Sequence, residues 1–215
     1  MPLLVCDLDD TLVDRVRVFA AWAGELARRH QLGAETHEWL VMIDERGSAP
    51  REEFWSAVRE RFNLPAEVGD LVAEWIASFP DRYPREPPVL EELISLRDEG
   101  WTLAIVTNGG ADVQARKLAA SGLDQIAHVV CISGVIGLRK PDRAIFDLAA
   151  QRAHQPLLGG WMIGDNPRED IEGGHDAGLK TIWLQRERAW PLDSVTPDLT
   201  VDDILQALRH VRTSG

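Results

Sequence analysis

Four short stretches of this sequence carry side chains suited to polar chemistry. The first is Asp7-Leu8-Asp9-Asp10-Thr11, directly after the apolar run 3–6. On an extended chain, residues two apart project to the same side, so Asp7 and Asp9 would lie together. Two like charges that close repel, and one carboxyl pKa rises unless a cation intervenes. Such a pair suits an ionised nucleophile or metal ligand beside a protonated acid, although Asp9-Asp10-Thr11 could equally form a turn or a helix cap. The second stretch, Thr107-Asn108-Gly109-Gly110, offers a hydroxyl, an amide and glycine-exposed backbone N–H groups ahead of a helical pattern. Those are the parts of an anion site, though Asn-Gly is also a common turn. The third contains Lys140, in Arg139-Lys140-Pro141-Asp142, with Pro141 read into the first turn of a helix. Lys140 could neutralise a carboxylate and a phosphoryl oxygen, or be solvated. The fourth, Gly164-Asp165-Asn166-Pro167-Arg168-Glu169-Asp170, holds two aspartates five apart. Asp165 ends an apolar run. Asp170 opens a helix, where a carboxylate can also serve as a plain cap. Oxygen ligands of this kind select a hard cation, and Mg2+ typically takes one or two carboxylates, waters and a phosphate.

The elements that must position these residues follow a clear rhythm. Apolar runs at 3–6, 102–106, 128–132, 160–163 and 180–184 read as strands buried on both faces. Helical patterns at 89–99, 111–120, 142–152 and 170–177 lie between them, with glycines at 100, 122 and 178 as stops. Strand followed by helix, repeated, predicts a doubly wound parallel α/β sheet. In such sheets ligands bind beyond the carboxyl ends of the strands, where the polar stretches sit. Residues 15–86 break the rhythm. Helical patterns at 16–30, 38–44, 51–62 and 67–78 occur there without a strong strand, with Trp22, Trp39, Trp55 and Trp75 read as core packing. This predicts a core formed by 1–14 and 87–215, and a helical domain, 15–86, inserted after the first strand. The tail is read as ending in one helix, 201–211.

Bulk properties exclude several classes. With 215 residues, 45% hydrophobic and 27% charged, the chain is an ordinary globular protein of a size for one core plus an insertion. A net charge of -12 and the absence of a Lys/Arg block argue against nucleic acid as partner. The same charge repels a phosphorylated substrate at long range, so an anion needs a local positive trap. Cys6 and Cys131 lie in or beside apolar runs and read as buried thiols, which fits a cytoplasmic setting. No run approaches the ~20 apolar residues of a membrane span.

Taken together and in this order, Asp7-Leu8-Asp9-Asp10-Thr11, Thr107-Asn108, Lys140-Pro141-Asp142 and the 164–170 stretch resemble the four signature motifs of the haloacid dehalogenase superfamily. The resemblance covers about residues 1–14 and 87–190 and implies a Mg2+-dependent phosphatase acting on a small phosphorylated metabolite. It implies Asp7 as nucleophile and Asp9 as general acid/base. Asp7, Asp165 and the Asp9 carbonyl would be the metal ligands. Thr107 would bind the phosphoryl group, with Asn108 and Gly109 as further substrate donors. Lys140 would steady Asp7, and Asp170 would support the metal or Lys140. Residues 15–86 resemble the family's helical cap, in which Arg46 and Arg51 of the loop-like stretch 46–51 are candidates for reading the substrate, against the alternative of solvated arginines. Rival readings are a phosphomutase or a metal-free dehalogenase of the same fold, or a non-enzymatic phospho-acceptor module. Asp9 and Asp165 argue against the dehalogenase. The adjacent acids and the long insertion argue against the phospho-acceptor. The sequence does not fix the oligomeric state.

Overall fold

The computed structural model describes residues 1–33, 35–47 and 49–214. Ser48, in the expected loop 46–51, and Gly215, at the end of the expected core, lie outside them. The chain divides into two compact units, one of Met1–Val13 with Pro84–Gly215, the other Asp14–Tyr83.

The first unit is built on six parallel strands. These are β1 (Leu3–Cys6), β2 (Thr102–Thr107), β3 (Val129–Ile132), β4 (Trp161–Gly164), β5 (Lys180–Leu184) and β6 (Leu199–Val201), in the spatial order β3-β2-β1-β4-β5-β6. Every residue of β1, β2 and β4 is buried, as expected for a parallel sheet covered on both faces. Leu3 and Val5 join Ala104, Val106 and Met162 on one face, packed by Ile145, Phe146 and Ala149. The strand order reverses between β1 and β4. Asp7 follows β1 and Asp165 follows β4, so the two flank the switch point where open α/β sheets bind ligands.

Among the described residues, the α-helices of this unit are α5 (Pro87–Asp98), α6 (Ala111–Ser121), α7 (Ser133–Ile136), α8 (Arg143–Ala153), α9 (Gly173–Ala177) and α10 (Ile204–Thr213). Local chemistry sets their ends. Asp142 caps α8 by accepting from Ala144 N at 2.9 Å, and Gly122 stops α6 in the left-handed region at φ 77. Pro141 therefore lies before the cap and outside the helix, not in its first turn. Two elements depart from the sequence reading. The segment after β3, which carries no helical pattern in the sequence, contains α7, and β6 precedes the last helix, which was read as starting at 201. Elements of three or four residues are too short to show a period, so neither left a signal.

The second unit contains α1 (Arg15–Arg29), α2 (Thr36–Ile43), α3 (Arg51–Phe62) and α4 (Val68–Ser78). Asp14 opens α1 by accepting from Arg17 N at 3.0 Å. Its core is aromatic. Phe19, Trp22, Phe54, Trp55, Trp75 and Phe79 are buried, with ring centroids 4.8–6.3 Å apart in the contacting pairs. Trp39 is only half-buried, against Phe62.

Within this apolar cluster lies one ionic group. The buried Asp44 carboxylate takes a two-pronged contact from Arg15, at 2.6 and 2.9 Å, and a second arginine, Arg51, at 2.9 Å. Arg51 also donates to Ala49 O at 2.7 Å and lies over the rings of Phe54 and Trp75. Burial lowers the Arg51 pKa, and Asp44 counters this. Removing one partner of a buried ion pair leaves an uncompensated charge, at a cost of about 3–5 kcal/mol. Asp44→Ala strands two guanidinium groups and is expected to destabilise this unit by that amount, read as a lower urea midpoint. A midpoint unchanged from wild type would show that Arg15 and Arg51 have no need of the carboxylate.

Candidate active site

The centre of the site is an ammonium group. Lys140 follows α7 and is 1% exposed. Its Nζ lies 2.6 Å from Asp7 Oδ1 and 2.6 Å from Asp170 Oδ1. Three loops converge to make this contact: one after β1, one before α8 and one after β4. The Lys140 backbone is held by Asn108. The Asn108 amide donates to Lys140 O at 3.0 Å, and its Oδ1 accepts from Lys140 N at 3.0 Å. The sequence placed Asn108 among the anion donors, but its amide instead clamps the lysine backbone.

Asp170 is fully buried. Its Oδ2 accepts from Asn166 N at 2.9 Å while Oδ1 takes Lys140. It lies in a π-helical turn, Pro167–Glu172, and Asn166 caps that turn by accepting from Arg168 N and Glu169 N, both at 3.0 Å. The capping role left open for Asp170 thus falls to Asn166. Gly164 makes room for this arrangement, since a Cβ there would lie 2.2 Å from Asp170 Oδ2.

These charges shape one another. Burial pushes the Asp7 carboxyl well above its usual range, Lys140 draws it back, and Asp170 and Asp165 push it up again. Burial pushes Asp170 up to about 6 against the pull of Lys140. Burial alone would lower the Lys140 pKa, but Asp170 and Asp7 outweigh it, so the ammonium holds its proton beyond the ordinary lysine range. One carboxylate oxygen each from Asp7, Asp165 and Asp170 lie within 4.8 Å of one another, all three residues being buried.

Asp9 has other surroundings. β1 ends at Cys6, and Asp9 lies in a turn in which Asp10 has φ 55. The like charges that act on Asp7 come from Asp165 and Asp170. Lys117 Nζ reaches both Asp9 oxygens, at 2.8 and 2.7 Å. The Gln114 amide donates to Asp9 Oδ2 at 3.0 Å and to Thr107 Oγ1 at 2.6 Å. Thr107 and Asp9 are thereby tied to one side chain. Gly109 allows Gln114 to pack closely, because a Cβ at Gly109 would lie 2.9 Å from the Gln114 side chain. Gly109 N donates to Ser133 Oγ at 3.0 Å.

Gln114, Lys117 and Ser133 did not emerge from the sequence. A signal was present for the first two. Positions 114, 117, 118 and 121 form the buried stripe of α6, and three of these four are polar. A core-facing stripe filled with Gln, Lys and Ser needs polar partners. Arg46 and Arg51 lie in the helical unit. Arg51 is bound to Asp44, and Arg46 is exposed in a left-handed turn at φ 55.

The chain matches the haloacid dehalogenase-like hydrolase family over residues 4–184. It is 30% identical to a phosphoserine phosphatase of Thermus thermophilus, over 95% of this chain and 96% of that one. It is 32% identical to a glyceraldehyde 3-phosphate phosphatase of Pyrococcus abyssi, over 83% of this chain and 79% of that one. Among solved structures, it resembles a HAD hydrolase of Bacillus subtilis bound to magnesium, at TM-score 0.76 and 25% identity over 98% and 97% of the two chains. With the fold, the order of the polar stretches and these likenesses in agreement, the chain belongs to the haloacid dehalogenase-like hydrolases.

Proposed function

We propose that this hydrolase cleaves a small phosphate monoester with Asp7 as nucleophile, Asp9 as general acid/base and Mg2+ as cofactor. The observation that carries this reading is the buried junction of Asp7, Asp165 and Asp170 around Lys140. Lys140 pairs there with Asp7 and Asp170, and Arg188 with Asp165. Three converging carboxylates, an all-oxygen donor set, fit a hard divalent ion. Asp7 and Asp165, with the Asp9 carbonyl, would hold Mg2+. When bound, the ion supplies neutralisation of charge on the phosphoryl oxygens. The likeness to two phosphatases and to a magnesium-bound hydrolase supports the same reading.

The residues divide the work as follows. An Asp7 oxygen attacks phosphorus, and the bond from phosphorus to the leaving oxygen breaks as Asp9 delivers a proton to that oxygen. Asp9 then takes a proton from water, whose oxygen attacks phosphorus and releases inorganic phosphate and the Asp7 carboxylate. A carboxylate nucleophile thus splits one difficult displacement into two easier ones. Lys140 holds the attacking carboxylate in place. It and the Thr107 hydroxyl stabilise charge spread over the phosphoryl oxygens, where one donor is typically worth ~3–4 kcal/mol. Gln114 and Lys117 set the position of Asp9. The helical unit Asp14–Tyr83 is assigned as the cap, and Arg46 and Arg51 remain its candidates for reading the leaving group.

The decisive experiment is a screen of phosphorylated metabolites with and without Mg2+, with the Asp7→Asn protein as blank. Phosphate release by the wild type, lost on chelation and abolished in Asp7→Asn, is the expected result. Near-normal turnover by Asp7→Asn would end this assignment. Release of halide unaffected by chelator would favour the dehalogenase instead. Transfer of phosphate to a second organic hydroxyl would favour the mutase.

Lys117→Met should lower kcat by about 10²-fold, the cost of misplacing a catalytic group by ~1 Å, with little change in KM. An unaltered kcat would show that Asp9 finds its position without the lysine. A pH effect follows from the raised carboxyls. Protons compete with a cation for Asp7, whose carboxyl is held by burial well above its usual range, so that protons stay bound to higher pH. The Mg2+ concentration giving half-maximal activity should rise as pH falls from 7.5 to 5.5. A constant requirement across that range would contradict the proposed ligand set.

A further inference from the structure

The segment after β5, Gln185-Arg186-Glu187-Arg188, turns sharply, with Arg186 at φ 43 and Glu187 at φ 62. Non-glycine residues rarely take this conformation, and two in succession need a compensating hold. Arg186 itself and the following Arg188 supply one. Arg186 Nε donates to Asp10 O at 2.5 Å, in the loop after β1. Arg188 turns to the loop after β4. Its Nη2 donates to Asp165 O at 2.7 Å, to Asp165 Oδ2 at 3.0 Å and to Leu184 O at 3.3 Å, while its Nε donates to Gln185 O at 3.1 Å. The buried Trp183 adds its indole N–H to Asp165 O at 2.9 Å. The Asp165 backbone thus receives two donors, and one oxygen of its carboxylate is held by a charged one. Fixing one oxygen of a planar carboxylate sets the direction of the other.

We propose that Arg188 is a positioning residue for the cation site: it holds the Asp165 carboxylate in the orientation that a divalent ion requires. This rests on the reading of Asp165 as a ligand. A guanidinium near a cation also repels it, so two opposed effects are at work. Orientation prevails, because Arg188 grips the carbonyl and the carboxylate of one residue with one nitrogen, a two-point hold that a merely neutralising charge has no need of. Outer partners of metal ligands typically contribute 10–100-fold to metal affinity. Arginine suits the task because its planar group lets Nη2 hold Asp165 while Nε is anchored on Gln185 O, whereas lysine offers a single point charge.

The test is Mn2+ titration of the full-length protein followed by electron paramagnetic resonance, which reads binding without turnover. Arg188→Gln should raise the Kd for Mn2+ by about 10–100-fold. Arg188→Lys should raise it by less, and neither should alter the thermal melt of the metal-free protein by more than a few degrees. A Kd for Arg188→Gln equal to the wild type, or tighter, overturns the proposal; a tighter one would mean that repulsion dominates. Should the Gln variant fail to fold, the Lys variant decides, and a Kd within about twofold of wild type overturns the proposal. Asp165→Asn separates this inference from the reading beneath it. If that variant binds Mn2+ as tightly as wild type, Asp165 is no ligand and the proposed metal site fails, whatever Arg188 does.

Discussion

An ammonium group withdrawn from water needs negative partners, since desolvation of a lone charge costs several kcal/mol even after relaxation. Lys140 is such a group, and its partners come from two distant parts of the chain, Asp7 after β1 and Asp170 after β4. Much of the site's construction follows from that requirement. β1 and β4 must be neighbours in the sheet, and Asp7 N donates to Ile163 O at 3.0 Å, extending their pairing up to Asp7 itself. Gly164 must lack a side chain so that Asp170 can close in. Asn108 must fix the lysine backbone from the end of β2. Each is a local choice that would be neutral elsewhere and becomes obligatory around a buried cation.

The second constraint is electrostatic. Three buried carboxylates crowd together, with Lys140 on Asp7 and Asp170 and Arg188 on Asp165. Carboxylates converging in a low-dielectric environment attract a divalent ion. The overall charge of -12 acts in the opposite sense on a phosphorylated substrate, repelling it at long range. Cation and lysine together would then form the local positive trap that an acidic protein needs.

The parallel sheet was legible because its strands are continuous apolar runs, and Asp7, Thr107, Lys140, Asp165 and Asp170 stood out because each lies beyond one of them. What stayed hidden had its signal elsewhere. Gln114 and Lys117 sit on a helix, where three-residue spacing looks like an ordinary face until burial is known. Arg188 sits in a loop whose path depends on two left-handed residues, and no local pattern announces those at Arg and Glu. The different partners of Asp7 and Asp9, Lys140 for the one and Lys117 with Gln114 for the other, lie far along the chain and leave no mark in the Asp7–Thr11 stretch itself. The choice between Asp170 as cap and as buried partner could not be made from spacing, since Asn166 is also a good cap and only the fold shows which of the two turns inward.

Under the proposed function, the different surroundings of Asp7 and Asp9 would let neighbouring acids take different roles. The Asp7 side chain is 10% exposed and meets a buried ammonium, while that of Asp9 is 24% exposed and is held by Lys117 and Gln114 from α6. In the proposed reaction, Asp7 must offer an unprotonated oxygen along one fixed line, which favours a rigid, dry setting. Asp9 must exchange a proton with a leaving group and then with water, which favours a more open one. Two carboxylates on one strand end, in one shared environment, would compete for the same proton. Each acid has its own counter-charge, Lys140 for Asp7 and Lys117 for Asp9, and the proposed division of labour follows from environment and not from residue type.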